Sequence, residues 1–111
     1  MRPVSKTVSS LSISDPIRVN WRGGQSNFNL SLVVELNPGA LTYSVEHTLD
    51  APTDFADAAD YNANAVWFDT PGVTGLSANG GIGIDFPVQA LRLNVTAYTS
   101  GSAKITVLQS N

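Results

Sequence analysis

Cysteine is absent from this 111-residue sequence, which excludes both a disulfide framework and a metal site built on thiolates. The fold must therefore be stabilised by packing and strand pairing alone. Histidine occurs once, at position 47, and the GxSxG, HExxH and phosphate-loop patterns are missing. These absences predict a protein that binds a partner, is not an enzyme and needs no cofactor or metal.

Long apolar runs are also absent. No segment reaches the roughly 18 residues that a membrane-spanning helix requires, and no apolar core of a signal peptide follows the first six residues. We therefore expect neither membrane insertion nor secretion by the usual route. The net charge of −3 argues against a general nucleic-acid-binding protein, and the length fits one domain spanning residues 1–111.

Charges of one sign are missing from long parts of the chain. Residues 1–22 carry four basic side chains against the single acid Asp15, whereas residues 35–69 carry seven acids and neither lysine nor arginine. One interpretation is two solvated faces. The other is a bipolar molecule that docks on charged neighbours, including its own kind, with charge steering the encounter.

What the sequence has in abundance is alternation of apolar and polar residues, which is typical of strands with one buried face. Residues 28–36 and 41–49 alternate in this way around the turn residues 37–39, which predicts an antiparallel hairpin. Residues 91–97 and 103–107 predict a second hairpin around residues 99–102. The last strand is patterned well enough to be an internal member of its sheet.

Weaker patterns predict short elements elsewhere. Residues 4–13 and 17–21 are strand-like, residues 62–86 are rich in turn residues with short strands near 65–68 and 82–86, and the glycine-rich residues 80–83 suggest a turn. Only residues 53–60 look helical, with Thr53 as the cap. Seven to nine strands predict an all-β fold, an antiparallel two-sheet sandwich that is jelly-roll-like and has at most one short helical turn.

Two groups of residues could suggest chemistry. His47 lies on the apolar face of a predicted strand, so we interpret it as a partly buried structural residue, with hydrolytic catalysis as the alternative. Four aspartates between residues 50 and 60 resemble a calcium loop only in number, because their spacing does not match that of an EF-hand. We interpret them as helix-capping and surface acids.

The aromatic residues also allow two interpretations. They could form the core and a protein interface, or an exposed platform for stacking on sugar rings, as in carbohydrate-binding modules. Trp21 and Trp67 lie next to turn residues and are therefore the tryptophans expected to be partly exposed.

Three strand patterns stand out: Tyr43-x-Val45-x-x-Thr48-x-Asp50, then Trp67 after an insert, then Pro87-x-x-Ala90-x-Arg92 near the end. Together with the strand segments 28–34 and 105–109 they resemble small virion proteins of tailed phages. The resemblance covers roughly residues 17–109. Within that group, the length resembles the staple or cement proteins that decorate capsids of short-tailed phages of the epsilon fifteen type.

This resemblance implies a jelly roll without catalytic residues that is made in the host cytoplasm and lies on the outer surface of the virion. It implies a homodimer at two-fold positions that binds neighbouring major capsid protein subunits of the HK97-like fold, with no nucleic acid or membrane as partner. The alternative function is that of a carbohydrate-binding module or the receptor-binding domain of a phage fibre.

The candidate capsid or dimer interface combines N-terminal basic residues with aromatic residues near turns. Its members are Arg2, Lys6, Arg18, Trp21, Arg22, Tyr61, Trp67 and Phe68. Residues 1–14 are a candidate extended arm that could add a strand to the sheet edge of a neighbour. The alternative is that this segment forms an ordinary edge strand of the same sandwich.

Overall fold

A computed structural model describes residues 3–19, 29–37 and 39–109. These residues form eight strands, one short 3-10 helix and one α-helix. The strands are β1 (Val4–Val8), β2 (Ile17–Arg18), β3 (Leu30–Leu36), β4 (Leu41–Thr48), β5 (Trp67–Asp69), β6 (Gly80–Ile84), β7 (Ala90–Tyr98) and β8 (Ala103–Gln109). The 3-10 helix spans Pro52–Asp54 and α1 spans Ala58–Asn64.

The strands form two antiparallel sheets of four. The first sheet has the order β1-β8-β3-β6 and the second has the order β2-β7-β4-β5. Apart from the step from β4 to β5, each strand is followed along the chain by a strand of the other sheet, which is jelly-roll connectivity. The all-β two-sheet prediction is therefore confirmed, and so is the internal position of the last strand, because β8 lies between β1 and β3.

Both predicted hairpins are wrong. Strand β3 pairs with β6 and β8, whereas β4 pairs with β5 and β7. Strands β7 and β8 likewise belong to different sheets. The alternation of buried and exposed side chains is confirmed along β3 and β8 and along most of β4 and β7, but a strand with one apolar face can cover the core from either side. The turns between these strands therefore pass from one sheet to the other instead of reversing within one.

The two inter-sheet turns pack against each other. The Asn37 N–H donates to the Ser102 carbonyl (3.0 Å), and the Thr99 N–H donates to the Ala40 carbonyl (2.8 Å). A Cβ atom added to Gly39 would overlap the main chain of Ser100 and Gly101, so only glycine permits this approach. The turns that were predicted to close two separate hairpins thus meet at one end of the sandwich.

The core fills the space between the sheets. Buried apolar side chains alternate along β3, β4, β7 and β8 and interleave from both sides. They include Leu30, Leu32, Val34, Tyr43, Val45, Leu91, Leu93, Val95, Ile105 and Val107.

The N-terminal segment contributes to both sheets. Strand β1 pairs with β8 along its whole length, and the Ser14 N–H donates to the Leu93 carbonyl of β7 (2.8 Å). In the single chain, residues 4–8 thus form the edge strand that was the alternative to a free arm. Strand addition to a neighbour by residues 1–14 stays a prediction.

Two local predictions need correction. Helix α1 begins after Asp57, whose carboxylate accepts the Asp60 N–H (2.8 Å), whereas Thr53 lies inside the 3-10 helix that Pro52 begins. Residues 80–83 belong to β6 rather than to a turn, because Ile82 and Ile84 face the core while Gly81 and Gly83 are exposed. No helix among residues 3–19, 29–37 and 39–109 is long and apolar enough to cross a membrane.

We expect Gly39→Ala to lower the free energy of unfolding by about 1–3 kcal/mol, because the new methyl group must displace the facing turn. Gly83→Ala is the matched control, since its added Cβ would lie 3.7 Å from the Leu30 carbonyl oxygen, an ordinary contact. Urea unfolding of both variants measures the difference. Equal stabilities would contradict the close packing of the two turns.

Candidate interaction surface

A buried ion pair attaches the segment 50–66 to the outer face of the second sheet. The Arg92 Nε donates to Glu46 Oε1 (2.7 Å), and Nη1 donates to the Asn62 carbonyl (2.9 Å). The guanidinium also lies 4.2 Å from the centroid of the Trp67 ring. Arg92 is only 7% exposed. Its charge is therefore compensated by a carboxylate, a carbonyl and an aromatic face at once.

Tyr61 completes this attachment from α1. Its side chain is 2% exposed, and its hydroxyl donates to the Asp50 carbonyl (2.7 Å). The Trp67 Nε1 donates to the Tyr61 carbonyl (3.2 Å), and the two ring centroids are 5.4 Å apart. Burial raises the pKa of Tyr61 to about 12, so the phenol stays a neutral donor near pH 7. Tyr61 supports the surface from inside and does not itself form exposed area.

Exposed apolar side chains gather at the end of the sandwich where β4 and β6 finish. We call the group His47, Leu49, Phe68, Phe86 and Pro87 the end surface. Its Leu49, Phe68 and Phe86 side chains are 61%, 54% and 42% exposed. Large apolar side chains that lie together in water mark interaction sites more often than scattered ones do.

His47 lies beneath the two phenyl rings of the end surface. It is opposite Phe68 in the register of β4 and β5, and its ring centroid lies 6.1 Å from that of Phe68 and 5.6 Å from that of Phe86, which it meets edge-on. Its Nδ1 lies 3.0 Å from the Thr70 hydroxyl. Burial lowers the pKa of His47, which favours the neutral ring near pH 7.

The end surface also borders a shallow cavity of about 220 Å³, which is lined by Leu49, Pro87, Val88 and Gln89. The Gln89 N–H donates to the Thr48 carbonyl (2.9 Å), which fixes the floor of the cavity to β4. The end surface therefore offers two rings and an adjacent depression on a rigid support. Within the described ranges, no group of three or more His, Asp or Glu side chains is placed to hold a metal ion.

The candidate interface residues that the structure describes do not form one continuous surface. Phe68 belongs to the end surface. Arg18 and Trp67 lie in one row across the second sheet, because Arg18 pairs with Ala90, Ala90 with Thr48, and Thr48 with Trp67. Lys6 is half-buried on β1 in the other sheet. Tyr61 is buried in α1, and the remaining three candidates, Arg2, Trp21 and Arg22, lie outside the described residues.

Leu49 and Phe86 belong to the end surface although sequence reasoning did not single them out as interface residues. Leu49 was expected on the buried face of its strand, but β4 ends at Thr48 and the next side chain projects beyond the sheet. The one available signal was position, because both are large apolar residues at a strand end or beside a proline.

Comparison with known proteins gives a likeness of fold. No protein-family model and no curated protein matches this sequence. The solved structure of the SPBc2 prophage-derived protein YomS has a TM-score of 0.52 at 10% identity, over 99% of this chain and 96% of that one. A chain of the Kashmir bee virus empty particle has a TM-score of 0.44 at 8% identity, over 99% and 90%. The first likeness shows a shared fold, and no conclusion depends on the second.

The stability of the protein should fall when His47 is protonated. Because burial lowers its pKa below 6.5, the unfolded chain takes up a proton at a higher pH than the folded chain does. The free energy of unfolding is therefore fully retained well above pH 6.5, the unfolded-state pKa of His47. It decreases as the pH falls through 6.5 towards the lower pKa that His47 has in the folded state. Urea titrations at pH 7.5 and 5.5 measure the loss.

His47→Gln is the control for this measurement, because the chain contains no other histidine. The variant should lose less stability than the wild type between the two pH values. The same pH dependence in both proteins would show that His47 is not the group responsible.

Removing the Arg92 side chain should be far more damaging than removing an exposed basic residue. We expect Arg92→Ala to cost about 3–5 kcal/mol, because Glu46 is left as a buried carboxylate without its partner. Lys104→Ala is the matched control, since exposed Lys104 lies opposite Glu35 across two paired strands and should cost less than about 1 kcal/mol. Similar losses on chemical denaturation would contradict the role given to Arg92.

Proposed function

We propose that this chain is a structural protein of a phage virion that decorates the outside of an icosahedral capsid. In this proposal it staples neighbouring major capsid protein subunits of the HK97-like fold, and it pairs with a second copy at two-fold positions. It is present in the host cytoplasm during assembly and binds neither nucleic acid nor membrane.

The observation that carries the proposal is the end surface, a set of exposed apolar side chains on a rigid sandwich. Two further findings support it. The strand patterns resemble those of small virion proteins of tailed phages, and the fold is shared with a protein of prophage origin. A binding role needs only such a surface and a scaffold that holds it, and the sandwich provides both.

The physical requirements of a staple fit this surface. The phenyl rings of Phe68 and Phe86 supply an apolar anchor, while Asp69 and Asp85 follow and precede them on exposed positions. Exposed carboxylates next to these anchor residues in the chain would steer the protein towards a basic site on the shell. Many such contacts of modest affinity stabilise the assembled shell, because each bound copy shifts the equilibrium towards it.

Carbohydrate binding is the alternative, and the exposed rings of Phe68 and Phe86 are the observation that favours it. Trp67 is a weaker candidate for stacking than its sequence position suggested, because one of its faces is occupied by Arg92. A glycan array separates the two functions. Sugar binding that is lost in Phe68→Ser would support a fibre or carbohydrate-binding role and oppose the staple.

Purified virions of the phage that encodes this chain should contain it in a near-integer ratio to the major capsid protein. Quantitative gel densitometry or mass spectrometry of heads and tails measures this ratio. Absence from heads, or presence only in tails, would contradict the proposal.

Binding to shells that lack the protein should depend on the end surface. We expect Phe68→Ser and Phe86→Ser each to reduce co-sedimentation with such shells at least tenfold, as loss of a buried aromatic anchor does. Tyr98→Ser is the control, because Tyr98 is also an exposed aromatic residue (36%) but lies beside Gly101 at the opposite end of the sandwich. Equal loss in all three variants would show that the end surface is not the contact.

A further inference from the structure

Three of the four sheet edges are poorly suited to pairing with another strand. On the second sheet, β2 has two residues and β5 has three, with Pro71 soon after. On the first sheet, β1 follows Pro3 and places Lys6 on the same side as buried Ile105. Short strands, prolines and inward-pointing charges are the devices by which proteins protect exposed edges.

The fourth edge, β6, has none of these devices. Its five residues contain neither proline nor charge, and no charged residue occurs anywhere in residues 70–84. Among the residues that the structure describes, β3 is its one strand partner. Gly81 and Gly83 are exposed and leave its outer face bare. Within the described ranges, no strand pairs with the free side of β6, so its main-chain groups there are available to another strand.

We propose that β6 pairs antiparallel with β6 of a second copy of this chain, around a two-fold axis at Ile82. This joins the two first sheets into one continuous sheet of eight strands. The register places Gly80 opposite Ile84, Gly81 opposite Gly83, and Ile82 opposite its own counterpart. In this register even-numbered residues lie opposite even-numbered ones, and odd opposite odd. Because the N–H and C=O groups of alternate residues point to the same side of a strand, both members of each pair then face their partner or both face away, as antiparallel pairing requires.

Charge and symmetry favour a second copy as the occupant. Two copies that each carry a charge of −3 repel, and the neutral residues 70–84 allow them to approach without bringing carboxylates together. At the ends of this register Asp85 meets Asn79, so no two carboxylates oppose each other. An antiparallel pair of identical strands is also closed at two members, which uses up both exposed edges and stops further growth.

Packing at the axis agrees with this arrangement. Ile82 is half-buried and packs at the margin of the core, with part of its side chain still exposed at the edge. Opposite its counterpart, it would cover that remaining apolar area. Pairing through β6 rests on the proposed function in that it supplies the surface of the proposed dimer. Purified protein tests the pairing without any capsid, so the pairing and the staple function can fail independently.

Sedimentation of the purified chain tests the pairing. The wild type should sediment as a dimer of about twice 11.7 kDa. Ile82→Lys should sediment as a monomer, because two ammonium groups would then oppose each other across the axis. Ser5→Lys adds the same charge to the opposite edge, β1, and should remain a dimer. A monomeric wild type at all soluble concentrations, or a dimer that only Ser5→Lys disrupts, would overturn the proposal.

Cross-linking provides a second measurement that does not need Ile82→Lys to fold. Because the chain has no cysteine, a disulfide in Ile82→Cys can form only between two copies. Directly opposite residues have Cβ atoms about 4.5–5.5 Å apart, so mild oxidation should link most of the protein. Ser5→Cys should stay largely uncross-linked under the same conditions. Cross-linking that is equal in both variants, or greater in Ser5→Cys, would contradict pairing through β6.

Discussion

The four long strands β3, β4, β7 and β8 must each bury one face in the same core between the sheets. The chain has no cysteine, and its described residues form no metal site, so neither a disulfide nor a metal ion supplies other stabilisation. This constraint explains the connectivity. Strands β3 and β4 follow each other closely along the chain yet cover the core from opposite sides. The two turns that cross between the sheets then meet at Gly39 and Gly101, where the absence of side chains lets the main chains touch.

Because the strands bury only their inner faces, the outer face of the second sheet is covered by a different part of the chain. The segment 50–66 lies on the outer face of the second sheet, where the Arg92 Nη1 donates to the Asn62 carbonyl and the Trp67 Nε1 donates to the Tyr61 carbonyl. Arg92 comes from the central strand β7, while Tyr61 comes from α1. The segment leads directly into β5, and β5 places Phe68 beside His47 on the end surface.

The sequence allows the buried face of most strands to be predicted, but not their partners. A period of two tells which side chains of β3 and β4 point inward, yet it is equally compatible with one sheet or two. Phe68 could be identified as an exposed aromatic residue. Leu49 and Phe86 could not, because exposure at a strand end depends on whether a distant loop covers it, and no local pattern records that. The predicted start of the helix is wrong because Thr53 and Asp57 are both good N-cap residues. Pro52 begins a 3-10 helix that includes Thr53, which leaves Asp57 as the cap of α1.

The end surface and the β6 edge have a geometric relation that bears on stapling. Residue 84 ends β6, and Phe86 follows two positions later. Antiparallel pairing about Ile82 would therefore direct the two end surfaces of a dimer away from each other, one at each end of the joined strands. A dimer of this form could contact two capsid subunits at once. Two linked contacts bind far more tightly than either contact alone when their spacing matches that of the two sites on the shell. A staple protein gains its affinity in this way.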